Sequence, residues 1–149
     1  MQVIHPSVVL IRNTHEPERL IEEAGRTCWR SEDAITSGSH VEFVRMLKRK
    51  GHLSVFEHAS ATFRIVTDRG IANELVRHRI ASYSQESTRY VRQADLKVIK
   101  PCRVEEGSAA YHYWLNACMA AERNYGNLLD SGCLPQDARS VLPLCTATE

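Results

Sequence analysis

The segment Arg77-His78-Arg79-Ile80-Ala81-Ser82-Tyr83-Ser84-Gln85-Glu86-Ser87-Thr88-Arg89-Tyr90 sets three arginines and a histidine among a run of hydroxyl side chains. Guanidinium forks hold phosphate through paired hydrogen bonds, and serine or threonine hydroxyls satisfy the remaining oxygens. The mixture therefore suits a phosphorylated ligand better than a packed core. On a helix begun at Ile71, the residues Ile71, Ala72, Leu75, Val76 and Ile80 fill one arc, while Glu74, Arg77 and His78 fall on the other. Arg79 then lands in the middle of the apolar arc, where an unpaired charge is costly, so it needs an anion or a change of chain direction. The plainer alternative makes Arg77 and Arg79 surface cations paired with Glu74 or Glu86.

Outward from this segment, two more stretches stand out: Gly51-His52-Leu53-Ser54-Val55-Phe56-Glu57-His58 upstream and Ala138-Arg139-Ser140-Val141-Leu142-Pro143 downstream. The Arg-His-Arg triplet, seven intervening residues and then Ser87, flanked in order by these two, resembles the motif set of the flavin-dependent thymidylate synthases. The resemblance covers essentially the whole chain. It implies a reaction in which deoxyuridine monophosphate (dUMP) is methylated to thymidylate. Methylenetetrahydrofolate gives the one-carbon unit, and FAD reduced by NADPH gives the hydride.

The resemblance also implies roles. Arg77, His78 and Arg79 would contact the flavin, Ser54 and Glu57 would lie against it, and His52 would sit by the folate and flavin. Glu74, Gln85, Ser87, Thr88, Arg89 and Arg139 would form the nucleotide set. Glu74 departs from the glutamine common at its position: a carboxylate accepts from the uracil imide or a ribose hydroxyl but repels phosphate. No residue is assigned as a nucleophile. Ser87 lies outside any Gly-x-Ser-x-Gly elbow, which argues against covalent serine catalysis. His52 and His58 are six apart, unlike the four-residue spacing of zinc helices, so no metal is expected. No Gly-x-Gly-x-x-Gly follows a candidate strand, and the family instead places FAD among the subunits of a homotetramer.

The chain has 149 residues, 43% of them hydrophobic and 25% charged. That is enough to fold as one domain burying about two thirds of its unfolded surface. The formal charge of +1 offers no global attraction to nucleic acid or membrane. It weighs against an RNA-binding module built from Arg77, Arg79, Arg89, Arg92, Lys97 and Arg103 with Tyr83 and Tyr90. Five widely spaced cysteines form no Cys-x-x-Cys pair, so a reducing cytoplasm is the expected setting. The start lacks a signal-like pattern, and no apolar run is long enough to span a bilayer.

The pattern predicts a strand at Ser7 to Ile11, helices at Pro17 to Trp29 and His40 to Lys50, and a stop at Gly51. A half-buried strand is expected at Ala59 to Thr67, then an Asp68-Arg69-Gly70 turn and the helix from Ile71. Extended segments are expected at Ser84 to Val91 and Leu96 to Ile99, the longest helix at Ser108 to Leu129, and a short one from Pro135. The fold class is α+β: one mixed domain over residues 1 to 149 with a mainly antiparallel sheet flanked by helices. The final residues, Leu144 to Glu149, lack a helix stop. Against the family this reads as a C-terminally incomplete domain, and an inactive relative kept for nucleotide binding or assembly is the alternative function.

Overall fold

A computed structural model describes residues 1–93 and 95–149. They group into two compact units, Val9–Arg64 on the one hand and Met1–Val8 with Ile65–Glu149 on the other.

In the unit Val9–Arg64, helix α1 (Pro17–Trp29) starts with proline in its first turn and buries Ile21, Glu22 and Gly25. Helix α2 (Ser39–Lys50) buries Phe43 and Leu47 and carries three basic residues in its last turn, where they favour the carbonyl end of the helix dipole. Ile21, Phe43, Leu47 and Val55 form the core, with Val44, Met46, Phe56 and Ala59 packed around it. A 3-10 turn over Ser54–His58 follows α2.

The second unit opens with β1 (Gln2–Ile4), which pairs in parallel with β4 (Lys97–Ile99) through Val3 opposite Val98. Its core joins Leu96, Val98 and Cys118, with Met1, Trp114, Leu142 and Cys145 against them. Helix α4 (Ala109–Asp130) supplies Cys118, and the Ser108 hydroxyl caps it by accepting from the Tyr111 amide. The short α5 (Pro135–Ala138) and a 3-10 turn over Arg139–Val141 lead to β5 (Ala147–Thr148). The end of β3 (Ala61–Asp68) pairs antiparallel with β5, Thr67 opposite Thr148, and β2 (Ser7–Asn13) carries the chain from this unit into the other.

The α+β class holds, and α1, α2, α4 and α5 fall where periodicity puts them. Four local expectations need correction. Asp68-Arg69-Gly70 is no free turn but the start of α3 (Arg69–Leu75), with Asp68 as its cap accepting from the Ile71 amide. That helix ends before Arg77, so Arg79 never meets the apolar arc. Ser84 to Val91 is a loop with a turn at its end, not a strand. The alternation in β3 buries nothing at its start within this chain: Ala61 and Phe63 are exposed.

Candidate functional site

In the unit Val9–Arg64, α2 ends in a stop that fixes the backbone of His52. Gly51 adopts φ +73°, its amide donates to the Lys48 carbonyl, and the His52 amide donates to that of Leu47. In the turn that follows, Val55 is buried and Phe56 packs on the core, which leaves Ser54 and Glu57 exposed beside them. Three of the expected flavin residues thus lie on one short, anchored segment.

In the second unit, Arg77, His78 and Arg79 follow α3 as an exposed segment. Arg79 Nη1 donates to the carbonyls of Val76 (3.0 Å) and His78 (3.1 Å), capping the helix end, as suits a cation at a C-terminus. Arg77 Nη1 lies 3.8 Å from Glu74 Oε2 with both side chains largely in solvent, an ion pair of little energetic weight. Arg77 and Glu74 thus form the surface pair that the plainer sequence reading names, with both side chains exposed.

The loop Ser84 to Tyr90 is held from two directions. The Glu86 amide donates to the Glu149 carbonyl, and Gln85 Nε2 donates to Thr148 Oγ1 at 3.3 Å. Arg69 Nη2 donates to the Glu86 carbonyl at 3.1 Å, and Gln93 Nε2 to Glu86 Oε1 at 3.2 Å. Thr88, buried, accepts from Arg139 Nη1 at 3.2 Å, while the Arg139 Nε–H donates to the Gln136 carbonyl. The Ser87 carbonyl and hydroxyl organise the closing turn, accepting from the amides of Tyr90, Val91 and Arg89. Arg89 lies 5.7 Å over the exposed Tyr90 ring.

In the sequence Arg69 shows only as part of the Asp68-Arg69-Gly70 turn. Its Nε is buried with no hydrogen-bond partner among the described residues. Burial pulls its guanidinium below the ordinary value, and Arg139 pushes the same way against the opposing carboxylate of Glu86. Two cations share this corner, one of them partly desolvated, beside the carboxylate of Glu86. Beside it, a cavity of about 440 Å³ is lined by Glu86, Arg92, Gln93, Lys97, Thr148 and Glu149 among others. Arg92 and Lys97, which the sequence reading entered only as scattered cations, belong to this wall.

Taken together, an exposed Arg-His-Arg segment, a pinned hydroxyl loop and two arginines meeting on that loop, Arg69 half-buried and Arg139 exposed, gather cations and hydroxyl donors of the kind that hold anions. A family model described as thymidylate synthase complementing protein matches residues 9–149. The flavin-dependent thymidylate synthase of Geobacter sulfurreducens is 34% identical over 95% of this chain and 65% of its own length. That of Mycobacterium tuberculosis (H37Rv) is 38% identical over 74% of this chain and 45% of its own. Among solved structures, a UMP/dUMP methylase, PolB from Streptomyces cacaoi bound with 5-Br dUMP, superposes with a TM-score of 0.84 at 28% identity. That match covers 99% of this chain and 72% of the other. The chain belongs to the flavin-dependent thymidylate synthase family. It spans about 45 to 65% of the length of these curated relatives. No helix among the described residues is long and apolar enough to cross a membrane.

Proposed function

We propose that this chain supplies the nucleotide-binding and part of the flavin-binding machinery of a flavin-dependent thymidylate synthase, which methylates dUMP to thymidylate. One observation carries this reading: Arg69 and Arg139 converge on the loop Ser84 to Tyr90, one donating to the Glu86 carbonyl and the other to the Thr88 hydroxyl. The solved relative with the same fold was crystallised with a brominated dUMP, which supports a nucleotide phosphate as that anion. Arg69 joins Glu74, Gln85, Ser87, Thr88, Arg89 and Arg139 in the proposed nucleotide set. Arg139 and Arg69 hold phosphate, and the Ser87 turn fixes the backbone beneath it.

The residues present fit FAD in chemistry. Arg77 and His78 are exposed, and Arg79 keeps donors beyond those spent on α3, so the segment can meet the negative charge of a reduced flavin or its pyrophosphate. His52, Ser54 and Glu57 complete the proposed cofactor set. When bound, FAD reduced by NADPH supplies the hydride, and methylenetetrahydrofolate is the one-carbon donor. The protein's own contribution is to bind, orient and polarise, which lowers the barrier by placing reactants rather than by an enzyme nucleophile. A homotetramer in a reducing cytoplasm, with FAD shared between subunits, completes the reading.

The test is the visible spectrum of the 149-residue chain after loading with FAD and removing the excess, recorded with and without dUMP. Retained flavin whose bands shift on adding dUMP is the expected result. Arg79→Ala should lower flavin retention, while Arg45→Ala, an exposed arginine paired with Glu42, should not. Equal losses in both variants would remove the triplet from the cofactor site. Nucleotide binding without any flavin would favour the nucleotide-binding or assembly role instead.

A further inference from the structure

Trp29 ends α1, and its indole ring stands 5.8 Å from the His52 imidazole at an interplanar angle of 84°. It meets Phe43 at the same centroid distance and 78°. We propose that Trp29 is a positioning residue that holds the His52 ring in one orientation for its planar ligands. The proposal rests on the reading that His52 meets flavin and folate.

The support behind Trp29 is unusually deep for a surface ring. Phe43 is buried, and Gly25 lies so close to it that a Cβ there would come within 2.8 Å of Phe43 Cε1. The Arg26 guanidinium sits 4.1 Å over the Phe43 ring. Arg26 in turn donates through Nε and Nη2 to Glu22 Oε1, at 3.2 and 3.0 Å. Glu22 is 1% exposed, and its other oxygen accepts from Ser39 Oγ at 2.9 Å. Ser39 also receives the Thr36 amide at 2.8 Å. A buried carboxylate thus fixes an arginine, the arginine one face of Phe43, and Phe43 the tryptophan.

The backbone arrives from two directions with equal definition. Helix α1 stops after Trp29 with Arg30 at φ +49°, the Arg30 amide on the Thr27 carbonyl and the Ser31 amide on that of Arg26. Helix α2 stops at Gly51 in the same manner, one residue before His52. Two matched helix endings therefore present the two rings to each other. Trp29 remains 48% exposed, so its ring is not wholly committed to the core. Edge contact between rings fixes relative orientation as well as distance, and a fixed imidazole loses less freedom when a planar ligand settles on it.

The test uses the full chain with carbon-13-labelled histidine and no ligand, with His52→Ala to assign the signal. The His52 resonance should be displaced by the indole ring current in the wild type and return to the free-histidine position in Trp29→Leu. Trp29→Phe should keep part of the displacement, with the remaining histidines unmoved. A His52 signal identical in wild type and Trp29→Leu would overturn the proposal. Should Trp29→Leu fail to fold, Trp29→Phe alone decides: an unchanged signal there, already at the free-histidine position in wild type, rejects it. FAD titrations then separate this from the functional reading. Trp29→Leu should weaken FAD about three- to tenfold, the size of one aromatic contact, and should cost nothing in a chain already carrying His52→Ala. If the resonance moves while His52→Ala leaves FAD binding intact, the positioning stands and the ligand role of His52 falls.

Discussion

At the scale of single residues, the decisive side chain is Arg69. It gives one donor to the Glu86 carbonyl and lies, partly desolvated, beside a second cation. A charged hydrogen bond of this kind contributes about 1.5 to 3 kcal/mol. Arg69→Met, which keeps much of the volume, should therefore weaken dUMP binding by roughly ten- to a hundredfold in calorimetry. FAD retention should be left alone, and unchanged dUMP affinity would remove Arg69 from the nucleotide set. Cys118 makes a different prediction. Its Sγ lies 3.5 Å from Cys145 Sγ, and burial, helped by that neighbour, pushes its thiol up to about 12 from 9.0. The thiolate is the reactive form, so at pH 8 iodoacetamide should modify the exposed Cys28 and Cys102 and leave Cys118 untouched. Because the folded chain keeps a proton that the unfolded chain releases, this group's stabilisation is complete below pH 9. It is lost as pH rises toward 12, so denaturant midpoints measured across that window should fall.

At the scale of elements, α3 shows how short-range chemistry decides a boundary. Asp68 accepts from the Ile71 amide at 2.8 Å, one of the first-turn donors that a helix cannot satisfy internally. Asp68→Ala should cost about 1 kcal/mol in urea unfolding. It should also loosen the Arg69 backbone, whose amide donates to the Thr146 carbonyl. No loss of stability would mean that tertiary contacts alone hold this helix. The long helices were legible in the sequence because Leu20, Ile21 and Ala24, or Val44 and Leu47, write their stripe within one segment. Strand β1 was not, since three residues carry no alternation and its partner β4 is far along the chain. Strand β5 was missed for the same reason, with only two residues and a partner in β3. The loop Ser84 to Tyr90 looked extended from its composition, but its polar groups go to Thr148, Glu149 and Arg139, partners no local pattern reveals. The motif residues could be read from spacing; Arg69 could not, because its desolvation is made by Glu86 and Arg139, distant in sequence.

At the scale of the whole molecule, the strongest remaining force is uncovered apolar surface. Val8, Val9, Leu10 and Ile11 of β2 are 50 to 66% exposed, and Phe63 on β3 is 51% exposed. Successive strand residues point to opposite faces, so four in a row leave both faces of β2 wet, an arrangement that a lone soluble chain rarely keeps. Scattered exposed residues would need no explanation, but a consecutive strand does. The homotetramer proposed from the family resemblance gives this surface an occupant, a second copy of the chain. Sedimentation velocity at micromolar concentration should accordingly show a species several times heavier than the 16.9 kDa chain. Replacing Val9 and Ile11 together by lysine places charge on one face of β2 without touching the cores built on Leu47 or Val98. That variant should shift toward the monomer while keeping its helical circular dichroism. It should also lose FAD if the cofactor is shared between subunits. A wild-type chain sedimenting as a 16.9 kDa monomer would sink the assembly. A monomeric variant that still retains FAD would place the whole flavin site within one chain.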